Sequence, residues 1–243
     1  METIPDLRRG PFRDSLRRHA ICQWNEINPS GLYVPMVVGV ADRMLTASDI
    51  QYEPPQKKIR ALSKTAVVMI AGNAAVHSRV ATAVWPQLGV TTSNTPTILD
   101  AAEAYAQGLS EYRKREAEQL ILKPLGLTFD DFNAHQNDLA PQTVDQINGA
   151  LRRFRIEAEA IVAGVDGLGP HIYVIRDTGT VDCHDFVGFA AIGIGASHAA
   201  SQFMSAKYSR DWDFPRTLFL AFSGQEESGG CAGRWSRHRY VPR

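Results

Sequence analysis

Short apolar runs on both sides of a long helical block constrain this fold more than any other feature of the chain. HAICQWN (19–25), YVPMVVGVAD (33–42), IRAL (59–62) and AVVMIAG (66–72) precede the block. EAEAIVAGVDG (157–167), PHIYVIRDTG (170–179) and FVGFAAIGIGA (186–196) follow it. Each is short and rich in apolar residues, and Gly, Asp, Asn or Pro bounds most of them, which is the pattern of a buried strand. Within the block the period changes. NAAVHSRVATAVWPQL (73–88) repeats Val76, Val80, Ala83 and Val84 at helical steps behind Asn73, a competent N-cap. Residues 95–126 carry Ile98, Ala101, Ala102, Tyr105, Leu109 and Tyr112 between a Thr-Pro start and a Lys-Pro-Leu-Gly stop. Residues 128–154 form a shorter helical insertion, and SHAASQFMSAKY (197–208) and PRTLFLAF (215–222) return to helix. Strands, two helices, strands, two helices: this order predicts an α/β layered domain, two sheets face to face with helices outside.

Composition narrows the function. With 26 basic and 26 acidic residues the charge cancels, so nothing points to a nucleic-acid or acidic-lipid partner. No apolar run nears the ~18 residues of a membrane span, and the N-terminal stretch lacks the apolar middle of a secretory signal. Three cysteines, Cys22, Cys183 and Cys231, without CxxC spacing, predict a reducing cytoplasm. Arginine crowds both ends, so residues 1–18 and 223–243 are expected to be poorly ordered flanks around a domain spanning 19–222.

One pair of strand ends asks for explanation. The second strand finishes on Asp42-Arg43, and the next apolar stretch opens on Lys57-Lys58. A surface ion pair at a hairpin mouth would contribute only about 0–1 kcal/mol. An active-site pair is the other reading.

The series AD-R, K-I and AG, followed by IVAGVDGLGPHIYVIRDTGTVDCHDFVGFAAIGIGASHA, resembles the proteasome β-subunit-like branch of the N-terminal nucleophile hydrolases. Lys58 follows Asp42 by 16 residues and Gly72 follows Lys58 by 14, the spacing of the matching residues in that family. The resemblance covers residues 20 to 222. It implies a four-layer αββα sandwich of two mainly antiparallel sheets, a homo-oligomer, a peptide or small amide substrate and no cofactor.

In such enzymes the nucleophile is the side chain of a newly exposed first residue, and its own α-amino group is the base. The resemblance gives Lys58 the task of lowering a neighbouring pKa, Asp42 that of keeping the ammonium charged, and Gly72 that of offering its N–H to the oxyanion. The chain departs from the family at the nucleophile. Ser15, exposed only by cleavage after Asp14, is a weak candidate beside the ordinary reading of a loop serine. Ile194 stands where the family commonly has serine, and an acid-x-x-Ser-Gly-Gly segment is not recoverable. A catalytically silent relative with an assembly role is the alternative. His77, on a helix, and His171, in a strand, lack ligand-spaced partners, so no metal site is expected. Asp182, His184 and Asp185 in VDCHD are expected in a solvated hairpin turn. GIGIGA lacks the third glycine and the βαβ context of a dinucleotide loop.

Overall fold

A computed structural model of the chain describes residues 14–16, 19–27, 33–41, 45–47, 50–52, 57–89 and 96–226. Strands β1 (Asp14–Leu16), β2 (His19–Ile27), β3 (Tyr33–Ala41), β4 (Leu45–Ala47), β5 (Ile50–Tyr52), β6 (Ile59–Ala61) and β7 (Ala66–Asn73) come first. Helices α1 (Ala74–Gly89), α2 (Ile98–Ala117), α3 (Phe129–His135) and α4 (Pro141–Arg153) follow. Then come β8 (Ala158–Asp166), β9 (Gly169–Ile175), β10 (Val181–Cys183), β11 (Phe189–Ile192), α5 (Ala196–Ser205) and α6 (Phe214–Glu226).

Among the described residues these strands form two antiparallel sheets. The larger runs β10-β9-β8-β7-β1-β4-β5, with β6 also on β7, and the smaller runs β11-β2-β3. Side-chain alternation turns that order into layers. Val68 and Ile70 of β7, with Ala160 and Val162 of β8, pack under α1 and α2 against Val80, Ile98, Tyr105 and Leu109. The residues between them, Met69, Ala71, Ile161 and Ala163, face the smaller sheet and meet Ile21, Ala190 and Ile192. The smaller sheet's other face presents Cys22, Val40 and Phe189 to Phe203 of α5 and Leu220 of α6. The molecule is therefore the four-layer αββα sandwich. Because β7, β8 and β9 are buried on both faces, they read as continuous apolar runs and not as alternating ones.

Local chemistry sets the helix ends. Thr97 and Asp100 form a reciprocal capping box at the start of α2, and Thr128 and Asp131 form another at α3. Pro141 opens α4 at a position that has no intrahelical donor to lose. Where the helical block expected over 95–126 ends, α2 widens into a π turn at Glu118–Leu122 and then a short 3-10 turn. A satellite core of Leu122, Phe132 and Ile147 seats the helical insertion over 128–154, which consists of α3 and α4.

Several boundaries differ from the sequence reading. The strand expected over 186–196 is only Phe189–Ile192, because Gly188 and Gly193 adopt left-handed φ of 80° and 86° on either side. The polar excursion after Asp42 holds the short strands β4 and β5, and β10 occupies part of the expected VDCHD turn. Strand β1 lies within the stretch expected as the N-terminal flank, and α6 runs on to Glu226. Among the described residues no helix is long and apolar enough to cross a membrane.

Candidate active site

Strand β7 ends at Gly72-Asn73 and the chain turns directly into α1. Gly72 has φ +91°, and a Cβ built there would stand 1.8 Å from the Glu157 carbonyl oxygen. Both facts require glycine. The Asn73 amide donates to Glu157 O at 2.9 Å, toward β8. By strand alternation the Gly72 N–H points the other way, toward β6 and β1.

Lys58 lies on that side. It precedes β6 in a bend, and its carbonyl accepts the Ile70 amide at 3.1 Å. Ladder spacing puts its Cα about 9 Å from that of Gly72. The residue is only 5% exposed, a burial that lysine adopts only when its charge is compensated. Asp42 lies outside the described residues. Its predecessor Ala41 and Lys58's successor Ile59 both pack on the same inter-sheet cluster.

A cleft of about 340 Å³ opens on the other side of β7, lined by Gly72, Arg155, Glu157, Glu159, Arg176 and Gly193. Its walls are tied by charge. Arg176 bonds Glu159 at 3.3 Å and Asp182 at 3.3 Å, while the other Glu159 oxygen accepts the Gly193 amide at 3.4 Å. Arg155 stands 3.9 Å from Asp177. Ile194 also lines the cleft and is 63% exposed, an apolar surface where the resemblance implied a hydroxyl. Glu157 itself holds φ +52°, an uncommon conformation for a residue with a side chain.

Ser15 belongs to β1, in the larger sheet, whereas β2 begins at His19 in the smaller one. Register sets Ser15 opposite Asn73 and Leu16 opposite Gly72. The chain's own N-terminal segment thus runs along the edge toward which the Gly72 amide points.

Two groups have partners that the sequence reading did not assign them. His77, on the inner face of α1, bonds Ala71 O at 2.9 Å and Tyr105 Oη at 2.8 Å. Its position in the apolar Val76–Val80 stripe was the available signal. At the far end of β8, Asp185 joins the sheets. It accepts from the Ile172 amide of β9 at 2.7 Å and from Gln23 Nε2 of β2 at 3.0 Å. His171 Nδ1 also reaches Asp185 at 2.6 Å, and its Nε2 lies 3.2 Å from Asp166. That second contact lies within ion-pair distance but outside hydrogen-bond geometry. Burial works to raise the Asp166 pKa, but bonds from the Ile98 and Leu168 amides, with His171 nearby, hold it below the ordinary carboxylate value. The acids of VDCHD are therefore partly a structural clamp, where a solvated turn was expected. Among the described residues no cluster of His, Cys, Asp and Glu is arranged to hold a metal ion. No family model matches the chain, and no curated protein matches it.

Proposed function

We propose that this chain is a proteasome β-subunit-like N-terminal nucleophile hydrolase domain that cleaves peptide or small amide bonds. One observation carries the reading: Gly72 is held at φ +91° where a strand enters a helix, and strand alternation turns its amide toward the edge on which buried Lys58 sits. In this reading a processed first residue attacks the substrate carbonyl, and its hydroxyl or thiol proton passes to its own α-amine. The Gly72 N–H receives the developing oxyanion. The Lys58 ammonium, kept charged by Asp42, favours the ionised nucleophile. The tetrahedral adduct collapses, the leaving amine takes the proton, and water then hydrolyses the acyl-enzyme. The protein works as a homo-oligomer in the cytoplasm, without a cofactor.

Intact-mass measurement of the mature protein tests this. Loss of the N-terminal residues up to a Ser, Thr or Cys, with that residue labelled by an electrophilic covalent probe, supports the reading. A mature chain that still begins at Met1 or Glu2 overturns it.

A second reading, a catalytically silent subunit kept for assembly, is favoured by two observations at the same place. Leu16 of β1 pairs across Gly72, and Ile194 faces the cleft. It requires a defined oligomer that the probe leaves unlabelled.

A further inference from the structure

The Ala71 carbonyl and the Gly72 N–H are the two ends of one planar peptide unit, so whatever fixes one end fixes the other. His77 grips the carbonyl end from α1, with Nε2 2.9 Å from Ala71 O. A carbonyl can only accept, so Nε2 carries the proton and donates. Burial keeps the ring neutral. His77 is 1% exposed, and desolvation drives its pKa down to about 4; the bond to Ala71 opposes this and the Arg60 charge adds to it. A neutral ring protonated at Nε2 is an acceptor at Nδ1, and the Tyr105 hydroxyl donates there across 2.8 Å. Donation therefore runs in one direction, from Tyr105 through His77 to Ala71. Packing alone does not account for an imidazole in this place. Val76, Val80 and Val84 fill the neighbouring positions with hydrocarbon, and a buried polar ring costs stability unless both nitrogens are satisfied.

We propose that His77 is a positioning residue for the Gly72 amide: its bond to Ala71 O fixes the plane of the Ala71–Gly72 peptide and polarises the N–H at its other end. Withdrawal of electron density toward a carbonyl that accepts a hydrogen bond makes the attached N–H a stronger donor. Gly72 has no side chain with which to hold its own orientation, so the carbonyl is the handle that α1 can reach. The catalytic consequence rests on the hydrolase reading, in which this N–H meets the oxyanion. The positioning itself does not.

The experiment uses the full chain labelled with carbonyl-¹³C alanine and ¹⁵N glycine. Only three Ala-Gly pairs then give directly coupled signals, at Gly72, Gly164 and Gly233. His77→Phe keeps a ring without a donor, His77→Gln restores an N–H, and Tyr105→Phe is the milder variant should His77→Phe not fold. The Gly72 signal is expected to move in both Phe variants, Gly164 to stay, and His77→Gln to return Gly72 toward its original position. In turnover, His77→Phe should lower kcat roughly tenfold, the worth of about one hydrogen bond, with KM unchanged and His77→Gln partly rescuing. A stationary Gly72 signal in the Phe variants, or equal movement of Gly72 and Gly164, overturns the proposal. A moving Gly72 signal in a protein without turnover upholds the positioning and sinks only the hydrolase reading.

Discussion

The Lys58 carbonyl accepts the Ile70 amide at 3.1 Å, and this bond sets the lysine beside β7 two residues short of Gly72. If its ammonium serves a nucleophile there, Lys58→Ala should reduce turnover to background while far-UV circular dichroism stays unchanged. Turnover equal to that of the unaltered protein would remove Lys58 from the chemistry and leave it a buried structural cation.

Gly72 and Gly126 make a controlled pair. Both have positive φ, +91° and +76°, but nothing lies within 4 Å of a Cβ built on Gly126, whereas one on Gly72 meets Glu157 O at 1.8 Å. Gly126→Ala should cost about 1–2 kcal/mol, the conformational term alone. Gly72→Ala adds a backbone collision and should cost at least about 3 kcal/mol or prevent folding. Urea midpoints read the difference, and equal costs would mean that β8 moves aside easily.

How much of this was legible in the sequence follows from what each feature depends on. β7, β8 and β9 were plain, because strands buried on both faces need unbroken apolar runs such as AVVMIAG. Gly72 was legible as a punctuation mark, but its reason, the Glu157 carbonyl beside it, comes from the residue that precedes β8, more than eighty positions away. The same holds for Asp185: its partners Gln23, His171 and Ile172 come from two different sheets, and no local pattern announces them. FVGFAAIGIGA looked like one long strand because periodicity does not show that two of its glycines have left-handed φ. β4 and β5 were missed because three-residue strands carry too few residues to show a period.

His77 gives a pH dependence with a definite sign. Its pKa is about 4 when folded, against 6.5 for the free side chain, so between those values the unfolded chain binds more protons. Its contribution to stability is complete above about pH 6.5, falls as the pH drops, and levels off below about 4. The full amplitude is on the order of 3 kcal/mol. Unfolding free energies measured at pH 7, 5.5 and 4 for the protein and for His77→Gln isolate it from the other acids. Parallel curves would show that the ring titrates alike in both states.

Asp185 should matter more to stability than its partial exposure suggests. Its Oδ1 holds Gln23 Nε2 at 3.0 Å and the Ile172 amide at 2.7 Å, and Gln23 is fully buried. Asp185→Ala leaves those donors without their carboxylate, a loss of roughly 2–4 kcal/mol. Asp185→Asn keeps one acceptor and should lose less. Chemical denaturation of both variants checks the order, and equal losses would show that the charge facing His171 matters more than the bonds to Gln23 and Ile172.

The placement of β1 is the most direct structural claim to test, because it needs no activity. β1 joins β7 through Ser15↔Asn73 and Leu16↔Gly72, and β4 through three residue pairs including Leu16↔Leu45. Since the Leu16 backbone groups face β7, Leu16 and Leu45 form a non-hydrogen-bonded pair with Cα atoms about 4.5 Å apart. That separation lies inside the range a disulfide spans. Leu16→Cys with Leu45→Cys should therefore close a bond under mild oxidation, and Leu16→Cys with Ala47→Cys, two residues out of register, should not. Mass spectrometry of tryptic fragments distinguishes the new bridge from any involving Cys22, Cys183 or Cys231. Closed, the bridge holds Leu16 against the Gly72 edge, so a hydrolase using that amide should lose turnover on oxidation and regain it on reduction. If the out-of-register pair closes as readily as the matched one, β1 does not keep this register and the Gly72 edge is open.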